Sequence, residues 1–238
     1  MKKTLITIFA LGSVAAADIT LYDATFADNG KDTLTGGRSH LTVGSEAITL
    51  SSWMIEFQIT KLGTYGSLFS TCRNLSYEES GEQKEYEYGG LGVYVGSSEL
   101  KITKDTGTTA SDKSLAVSGV STTNPITLRF AYDESSQAAY LYNVGTGEYV
   151  SATGLSTSEA YKLTTVESSV GDKDVNGKSM FWTYGGGTQY KLLKITDMSS
   201  LAGTGDFLAH VTAPEPTTAT LSLLALVGLA ARRRRKQP

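Results

Sequence analysis

The sequence predicts an all-β fold in which two antiparallel sheets form a sandwich. Short runs rich in β-branched and aromatic residues are separated by turns rich in Gly, Ser, Thr, Asn and Asp. Glycine occurs 25 times and tyrosine 13 times in 238 residues, whereas proline occurs only 4 times. No long segment repeats its apolar residues every 3.6 positions, as an amphipathic helix would. Strand runs at this spacing without such helices are typical of a β-sandwich.

The predicted strands fill the central part of the chain. Each is a short apolar or aromatic run bounded by turn-forming residues, which is the pattern expected of a strand. No internal repeat is visible between them. The predicted strands are residues 18–22, 47–50, 53–60, 67–72, 91–95, 100–103, 126–132, 138–143, 178–184 and 190–196.

Strands 53–60, 126–132 and 190–196 alternate between two faces, as a half-buried strand does. We expect one face of each to pack on the facing sheet and the other to face solvent or a groove. In the last strand, Leu192 and Lys194 are expected to share one face and Ile195 the other. The predicted core faces are Trp53, Ile55, Phe57 and Ile59 in the first strand, and Ile126, Leu128, Phe130 and Tyr132 in the second.

The first 17 residues have the order of a secretory signal peptide. Lys2 and Lys3 are followed by an apolar run at residues 5–11, and small residues end at Ala15 and Ala17. This order predicts a signal helix over residues 1–17, cut by signal peptidase before Asp18. The alternative is an amphipathic or core helix.

The C-terminal end has three parts, which together predict a short membrane anchor. A Pro-Glu-Pro hinge precedes an apolar run at residues 217–231, and a basic tail follows at residues 232–236. Basic residues stay on the cytoplasmic side of a membrane, so the body is expected outside it. The 15-residue run is shorter than the roughly 20 residues of a spanning helix, which predicts a weak, transient anchor. The alternative is a buried helix.

This tripartite order resembles the PEP-CTERM sorting signal of Gram-negative bacteria. The resemblance covers residues 213–238 and implies an exosortase, a membrane protease-transpeptidase, as partner. Cleavage near the hinge would release or re-anchor the protein, which implies the cell envelope, the cell surface or the extracellular matrix as its location. The residues that carry the resemblance are Pro214, Glu215, Pro216, Arg232, Arg233, Arg234 and Arg235.

Residues 18–212 are predicted to form one domain with an acidic surface. The two ends hold 7 of the 21 basic residues and 1 of the 24 acidic residues, which leaves the body a formal charge of −9. Such a surface argues against nucleic acid or anionic lipid as a partner. Cys72 is the only cysteine, so no internal disulfide forms, and its position in a predicted strand indicates a buried, inert thiol.

The body resembles laminin-G-like and concanavalin A-like jelly rolls. The hairpin 126–143, with a turn at residues 134–136, is similar to their central hairpin, and residues 53–70 are similar to their opening strands. Residues 190–197 lie where such folds return a last strand to the first sheet. The resemblance implies ligands such as glycans or other surface proteins.

Glycoside hydrolases with a similar fold carry an E-x-D-x-E strand motif, which places paired carboxylates on one face. Here the strand has Glu56 and then Gln58, so the motif is absent. Glu85 and Glu87 could share a face, but a solvated loop or hairpin tip is the preferred interpretation. The two histidines are His40, expected in a polar turn, and His210, expected at the end of the body. We therefore expect no catalytic residues.

Residues 172–177 are a candidate for a weak calcium-binding loop. Asp172, Asp174 and Asn176 place oxygens at positions 1, 3 and 5, and Gly177 follows at position 6. Position 12 is Thr183 instead of a bidentate glutamate. An Asn-Gly hairpin turn explains the same residues and stays open as the alternative. No other cofactor is expected.

Exposed aromatic rings are the usual platforms for sugars, since a sugar ring stacks on a flat apolar face. The candidates near turns are Tyr65, Tyr86, Tyr88, Trp182 and Tyr184. Most aromatics in a sandwich belong to the core, so no ligand-binding residue is assigned among them. The sequence leaves open a recognition module, a structural component of the envelope or matrix without a specific ligand, and, less favoured, a polysaccharide hydrolase.

Overall fold

The computed structural model describes residues 19–96, 98–170, 175–183 and 187–213. The predicted signal peptide, sorting signal and apolar C-terminal run lie outside these residues, as does Asp18, and they stay predictions. Within the described ranges, no helix has both the length and the apolar character that crossing a bilayer requires.

The described residues form strands in almost every part of the chain, with a single α-helix at the C-terminal end. Short 3-10 helices occupy Glu159–Tyr161 and Ser199–Leu201. The strands and the helix are β1 (Thr20–Tyr22), β2 (Ala24–Phe26), β3 (Thr33–Leu34), β4 (Arg38–Val43), β5 (Thr49–Leu50), β6 (Trp53–Lys61), β7 (Tyr65–Glu79), β8 (Glu82–Gly96), β9 (Glu99–Lys104), β10 (Thr108–Thr109), β11 (Leu115–Ala116), β12 (Ile126–Asp133), β13 (Ala138–Asn143), β14 (Tyr149–Ala152), β15 (Leu163–Thr164), β16 (Met180–Trp182), β17 (Gln189–Asp197) and α1 (Gly205–Val211).

The strands build two large antiparallel sheets. The seven-stranded sheet has the order β1-β17-β6-β12-β13-β14, with β3 beside β17. The eight-stranded sheet has the order β10-β9-β8-β7-β16-β4-β2, with β11 beside β9, and β5 pairs with β15 in a small third sheet. The chain crosses repeatedly between the two large sheets. The predicted all-β, two-sheet antiparallel sandwich of the jelly-roll type is therefore confirmed for the described body.

The core lies between the large sheets and is rich in aromatic rings that meet edge to face. Trp53 of the seven-stranded sheet contacts Phe130 with ring centroids 5.3 Å apart. Phe57 of the same sheet meets Phe181 of the facing sheet at 5.3 Å. Such geometry adds about 0.5–1.5 kcal/mol per pair to the gain from burial. The predicted inward faces of β6 and β12 are confirmed, because all but the half-buried Ile126 are fully buried in this core.

Every predicted strand overlaps an observed one, but sequence analysis missed β2, β3, β4, β10, β11, β14 and β15. It also predicted β7 and β8 too short. These two strands form a long hairpin whose turn is at Ser80 and Gly81. Both of these residues have positive φ, 57° and 82°, as a type I′ hairpin turn requires.

The prediction that Leu192 and Lys194 share a face is wrong, because a bulge interrupts β17. Leu192 pairs with Phe57 and Lys194 with Glu56, so two steps along β17 match one step along β6. Leu192 and Ile195 both reach the core, and Lys194 lies on the outer face. The extra residue of a bulge interrupts the alternation of side chains between the two faces of the strand.

A second, smaller apolar cluster covers the outer face of the seven-stranded sheet. It forms where residues 198–211, including α1, fold back over β6, β12 and β13. The buried members of this cluster are Met54, Ala131, Tyr142, Met198, Leu201, Phe207 and Val211.

Candidate functional site

A groove lined by tyrosines lies on the outer face of the eight-stranded sheet. Its volume is about 280 Å³, just below the roughly 300–1,000 Å³ typical of ligand pockets. It is formed by β7, β8, β9 and the turn after β9. We call it the tyrosine groove, and it is lined by Tyr65, Gly66, Ser67, Tyr86, Tyr88, Tyr94, Thr103 and Gly107.

Strand alternation turns the groove residues away from the core. On β8, Tyr94 stands between the buried Val93 and Val95 and is 39% exposed. On β9, Thr103 follows the buried Ile102 and pairs with Gly92 of β8. Because successive side chains of a strand point to opposite faces, these residues form the outer surface of the sheet.

Glycine allows close approach at one wall of the groove. Gly107 has φ +84°, and a Cβ at this position would lie 2.7 Å from the hydroxyl oxygen of Tyr86. Only glycine combines this backbone conformation with such a short approach. The turn after β9 therefore closes directly on the Tyr86 ring.

Tyr86 and Tyr88 are held in position by aromatic contacts. They are two residues apart on β8, and their ring centroids are 6.2 Å apart. Tyr88 in turn meets Trp182 of β16 edge to face at 5.0 Å. Trp182 is fully buried, so it orients Tyr88 from behind and is no platform for a ligand.

The lining of the groove favours an uncharged ligand. It consists only of tyrosine, serine, threonine and glycine, so it offers ring faces and hydroxyl groups and carries no carboxylate, amine or imidazole. Aromatic walls with a few polar groups are typical of small-molecule and sugar sites. A glycosidase needs a pair of carboxylates, and the lining has none.

The structure brings together part of the set of aromatic residues that the sequence suggested. Tyr65, Tyr86 and Tyr88 line one groove, whereas Trp182 belongs to its support and Tyr184 lies outside the described residues. Sequence analysis missed Tyr94. Its position between Val93 and Val95 is the signal that could have found it, because alternation predicts that it faces outward.

The carboxylates considered for catalysis lie elsewhere. Glu85 and Glu87 are exposed on β8 and alternate with Tyr86, and Arg38 Nη1 lies 3.3 Å from Glu87 Oε1. They are solvated, as expected, but they lie on a strand of the hairpin and not in a loop or at its tip, which is at Ser80 and Gly81. Glu56 is buried on the outer face of the seven-stranded sheet and forms an ion pair with Arg129.

The prediction of His40 as a polar loop residue is wrong, because His40 is fully buried on β4. Its Nδ1 donates to the carbonyl oxygen of Ser179 at 3.2 Å, and its Nε2 accepts from the backbone N–H of Val175 at 3.4 Å. These hydrogen bonds satisfy both ring nitrogens, which is what permits burial. His210 lies near the end of α1, where partial burial and then the positive charges of Arg129 and Lys194 lower its pKa.

The calcium candidate is only partly within the described residues. Asp172 and Asp174 lie outside them, and Asn176 is exposed, with its Oδ1 accepting from Asn74 Nδ2 at 2.9 Å. In the part of the chain that the structure describes, no group of three His, Cys, Asp or Glu side chains could hold a metal. Calcium binding stays a prediction. Cys72 is buried, and burial raises its thiol pKa, so the prediction of a buried thiol is confirmed.

Comparison with models of known protein families and with curated proteins gives no match. Solved structures with a similar chain course include a peanut lectin with a 9mer peptide (11% identity, 77% of this chain, 92% of that chain, TM-score 0.41). They also include a carbohydrate esterase from the Shiga toxin-encoding bacteriophage phi24B (11% identity, 75% of this chain, 87% of that chain, TM-score 0.35). A third is the binding domain of botulinum neurotoxin serotype C1 (10% identity, 83% of this chain, 47% of that chain, TM-score 0.35). These distant similarities assign no function to the chain.

Proposed function

We propose that this protein is a non-enzymatic recognition module that binds an uncharged part of a carbohydrate in the tyrosine groove. The observation that carries the proposal is the convergence of Tyr65, Tyr86, Tyr88 and Tyr94 on one open groove. A sugar ring presents flat apolar faces between hydroxyl groups, so it fits a wall of aromatic rings with nearby hydroxyls. The uncharged lining disfavours acidic sugars, since nothing in it pairs with a carboxylate or sulfate.

The first test is binding of the full-length protein, kept in mild detergent, to an array of neutral and acidic glycans. We expect selective binding to neutral glycans, and we expect Tyr94→Ala to weaken the affinity for a hit by about tenfold or more. Truncating a central aromatic contact commonly costs at least about 1.4 kcal/mol, which is tenfold in affinity. Titration calorimetry with the strongest glycan measures the change.

Tyr149→Ala is the matched control for this test. Tyr149 is 40% exposed, almost the same as Tyr94 at 39%, but it lies on β14 of the other sheet. We expect this variant to bind as the wild type does. Equal losses in both variants, or no binding to any glycan, would contradict the proposal and favour a structural envelope or matrix component without a ligand.

We further propose that the protein is exported and sorted to the cell surface. The order of segments in the sequence supports this proposal: a signal-peptide pattern at residues 1–17, and a Pro-Glu-Pro hinge, apolar run and basic tail at residues 213–238. Signal peptidase and an exosortase-type protease are then its processing partners. The acidic body suits a protein that works outside the cell without binding nucleic acid.

Intact-mass analysis of the protein from its native host tests the proposed sorting. We expect loss of residues 1–17 and of the tail beyond the Pro214-Glu215-Pro216 hinge. A variant with Arg232, Arg233, Arg234 and Arg235 replaced by serine should keep its tail, because it lacks the basic stop. A full-length mass for the wild-type protein would rule out this processing.

A further inference from the structure

The outer face of the seven-stranded sheet contains a buried ion pair. Glu56 of β6 lies directly opposite Arg129 of β12, and Arg129 Nε donates to Glu56 Oε2 at 2.5 Å. The two side chains are only 3% and 6% exposed. Lys194 of β17 reaches the other carboxylate oxygen at 3.5 Å. A buried charge pair needs additional hydrogen bonds to offset its desolvation.

Those additional hydrogen bonds come from the C-terminal end of the described chain. Arg129 Nη1 donates to the carbonyl oxygen of Val211 at 3.0 Å and to that of Ala213 at 2.6 Å. The guanidinium also lies 6.0 Å from the centre of the Tyr142 ring. One arginine therefore ties the sheet to the last three residues before Pro214.

The preceding residues are fastened to the same face. Phe207 and Val211 of α1 are buried against the sheet in the smaller apolar cluster. At the other end of the segment, the backbone N–H of Gly203 donates to both carboxylate oxygens of Asp133, at 3.1 and 3.0 Å. The backbone from Gly203 to Ala213 is thus held at both ends and packed between them.

We propose that the Glu56–Arg129 pair acts as a clamp that fixes Ala213 on the sheet and so sets the upstream limit for proteolytic removal of the C-terminal tail. A protease needs an accessible, extended stretch of backbone on both sides of the bond it cuts. Susceptibility to cutting follows the burial and hydrogen bonding of the backbone. The clamp withholds residues 203–213 from a protease, so no cut is expected upstream of Ala213.

The consequence for processing in the cell rests on the proposed sorting. If an exosortase cuts near the Pro-Glu-Pro hinge, the clamp holds Ala213, the residue that directly precedes this hinge in the sequence. Arg129 is then a positioning residue for processing, because it acts on the substrate backbone and takes no part in the cleavage. The clamp itself requires no sorting enzyme, so an unrelated protease can test it separately.

Limited digestion of the full-length protein with proteinase K, followed by intact-mass analysis, is the test. For the wild type we expect stable products whose C-terminus is Ala213 or a later residue. Products that keep the rest of the body but end within residues 203–212 would overturn the proposal. Such a result would leave the proposed sorting untouched, because that is measured by mass in the native host.

Arg129→Lys tests the role of the guanidinium. Lysine keeps a positive charge beside Glu56 but cannot at the same time reach the carbonyl oxygens of Val211 and Ala213, because it has one ammonium group in place of the fork of donors. We expect the product end to shift upstream into residues 203–212. An unchanged end would overturn the proposal. The matched control is Arg38→Lys, at an exposed Arg–Glu pair on the other sheet, which should leave the end at Ala213 or beyond.

Hydrogen exchange of the wild-type protein keeps the proposal testable if Arg129→Lys does not fold. The backbone N–H of Thr212 donates to Leu208 O at 3.0 Å and that of Ala213 to His210 O at 3.3 Å. We expect both amides to exchange slowly, like those of the neighbouring strand β12. Exchange at the rate of an unstructured chain would contradict a clamped end.

Discussion

Arg129→Met is expected to lower the free energy of unfolding by about 3–5 kcal/mol, because it leaves the carboxylate of Glu56 buried without its main partner. Lys194 compensates only in part, since it lies 3.5 Å from the other carboxylate oxygen and is itself 35% exposed. Urea unfolding followed by tryptophan fluorescence measures the loss. Trp53 lies in the core and Trp182 behind the tyrosine groove, and both are fully buried, so their emission reports on the loss of the folded body.

A double-mutant cycle separates the ion pair from the packing of its side chains. Replacing Glu56 and Arg129 together by methionine should cost less than Arg129→Met alone, because no unpaired charge is then left in the sheet face. The control is Arg38→Met, whose pair with Glu87 is exposed (26% and 43%) and should contribute less than about 1 kcal/mol. Equal costs for Arg129→Met and Arg38→Met would show that burial does not strengthen the first pair.

Gly90→Ala is expected to destabilise the protein by about 3 kcal/mol or more. Gly90 has φ +67°, a conformation that costs a residue with a Cβ roughly 1–2 kcal/mol. The new Cβ would also lie 2.0 Å from the carbonyl oxygen of Ala160 and 2.3 Å from Thr71 Oγ1. Relieving such a contact by moving backbone adds about 1–3 kcal/mol. Thermal or urea unfolding measures the sum.

Gly147→Ala separates the cost of the positive φ from the cost of the steric contact. Gly147 has a similar φ of +75°, but a Cβ there meets nothing within 4 Å. We expect this variant to show the backbone cost alone, about 1–2 kcal/mol. The difference between the two variants then reports the close approach of residues 159–161 to β8. If both variants lost the same stability, the 159–161 turn would not be packed against Gly90 as described.

The predictions from sequence were most reliable where local pattern and burial agree. Strands β6 and β12 lie at the centre of the seven-stranded sheet, and their alternation of apolar and polar residues matches the two faces that the structure shows. The short strands β2 and β14 have little of this pattern. Strand β4 was missed because its buried residues include Ser39 and His40, which are polar and depend on partners far away in sequence.

The candidate site was only partly visible in the sequence. Tyr86 and Tyr88 were candidates for aromatic platforms near turns, but no shared site was predicted for them. Their convergence with Tyr65 and Tyr94 depends on the registers of β7, β8 and β9, in which Tyr65 pairs with Gly96 and Tyr94 with Lys101. Register is set by the whole sheet and by its bulges, so spacing along the chain could not supply it.

The sequence by itself determined that this protein has a two-sheet β body without a disulfide, since alternation, turn residues and the cysteine count are properties of the chain alone. The tertiary structure decided which outward residues act together. Tyr65 and Tyr94 line one groove from two paired strands, and Arg129 donates to the backbone of Ala213, 84 residues later. The physical reason is that strand alternation settles which face a side chain occupies, whereas sheet pairing and the return of the C-terminal segment settle what lies opposite it.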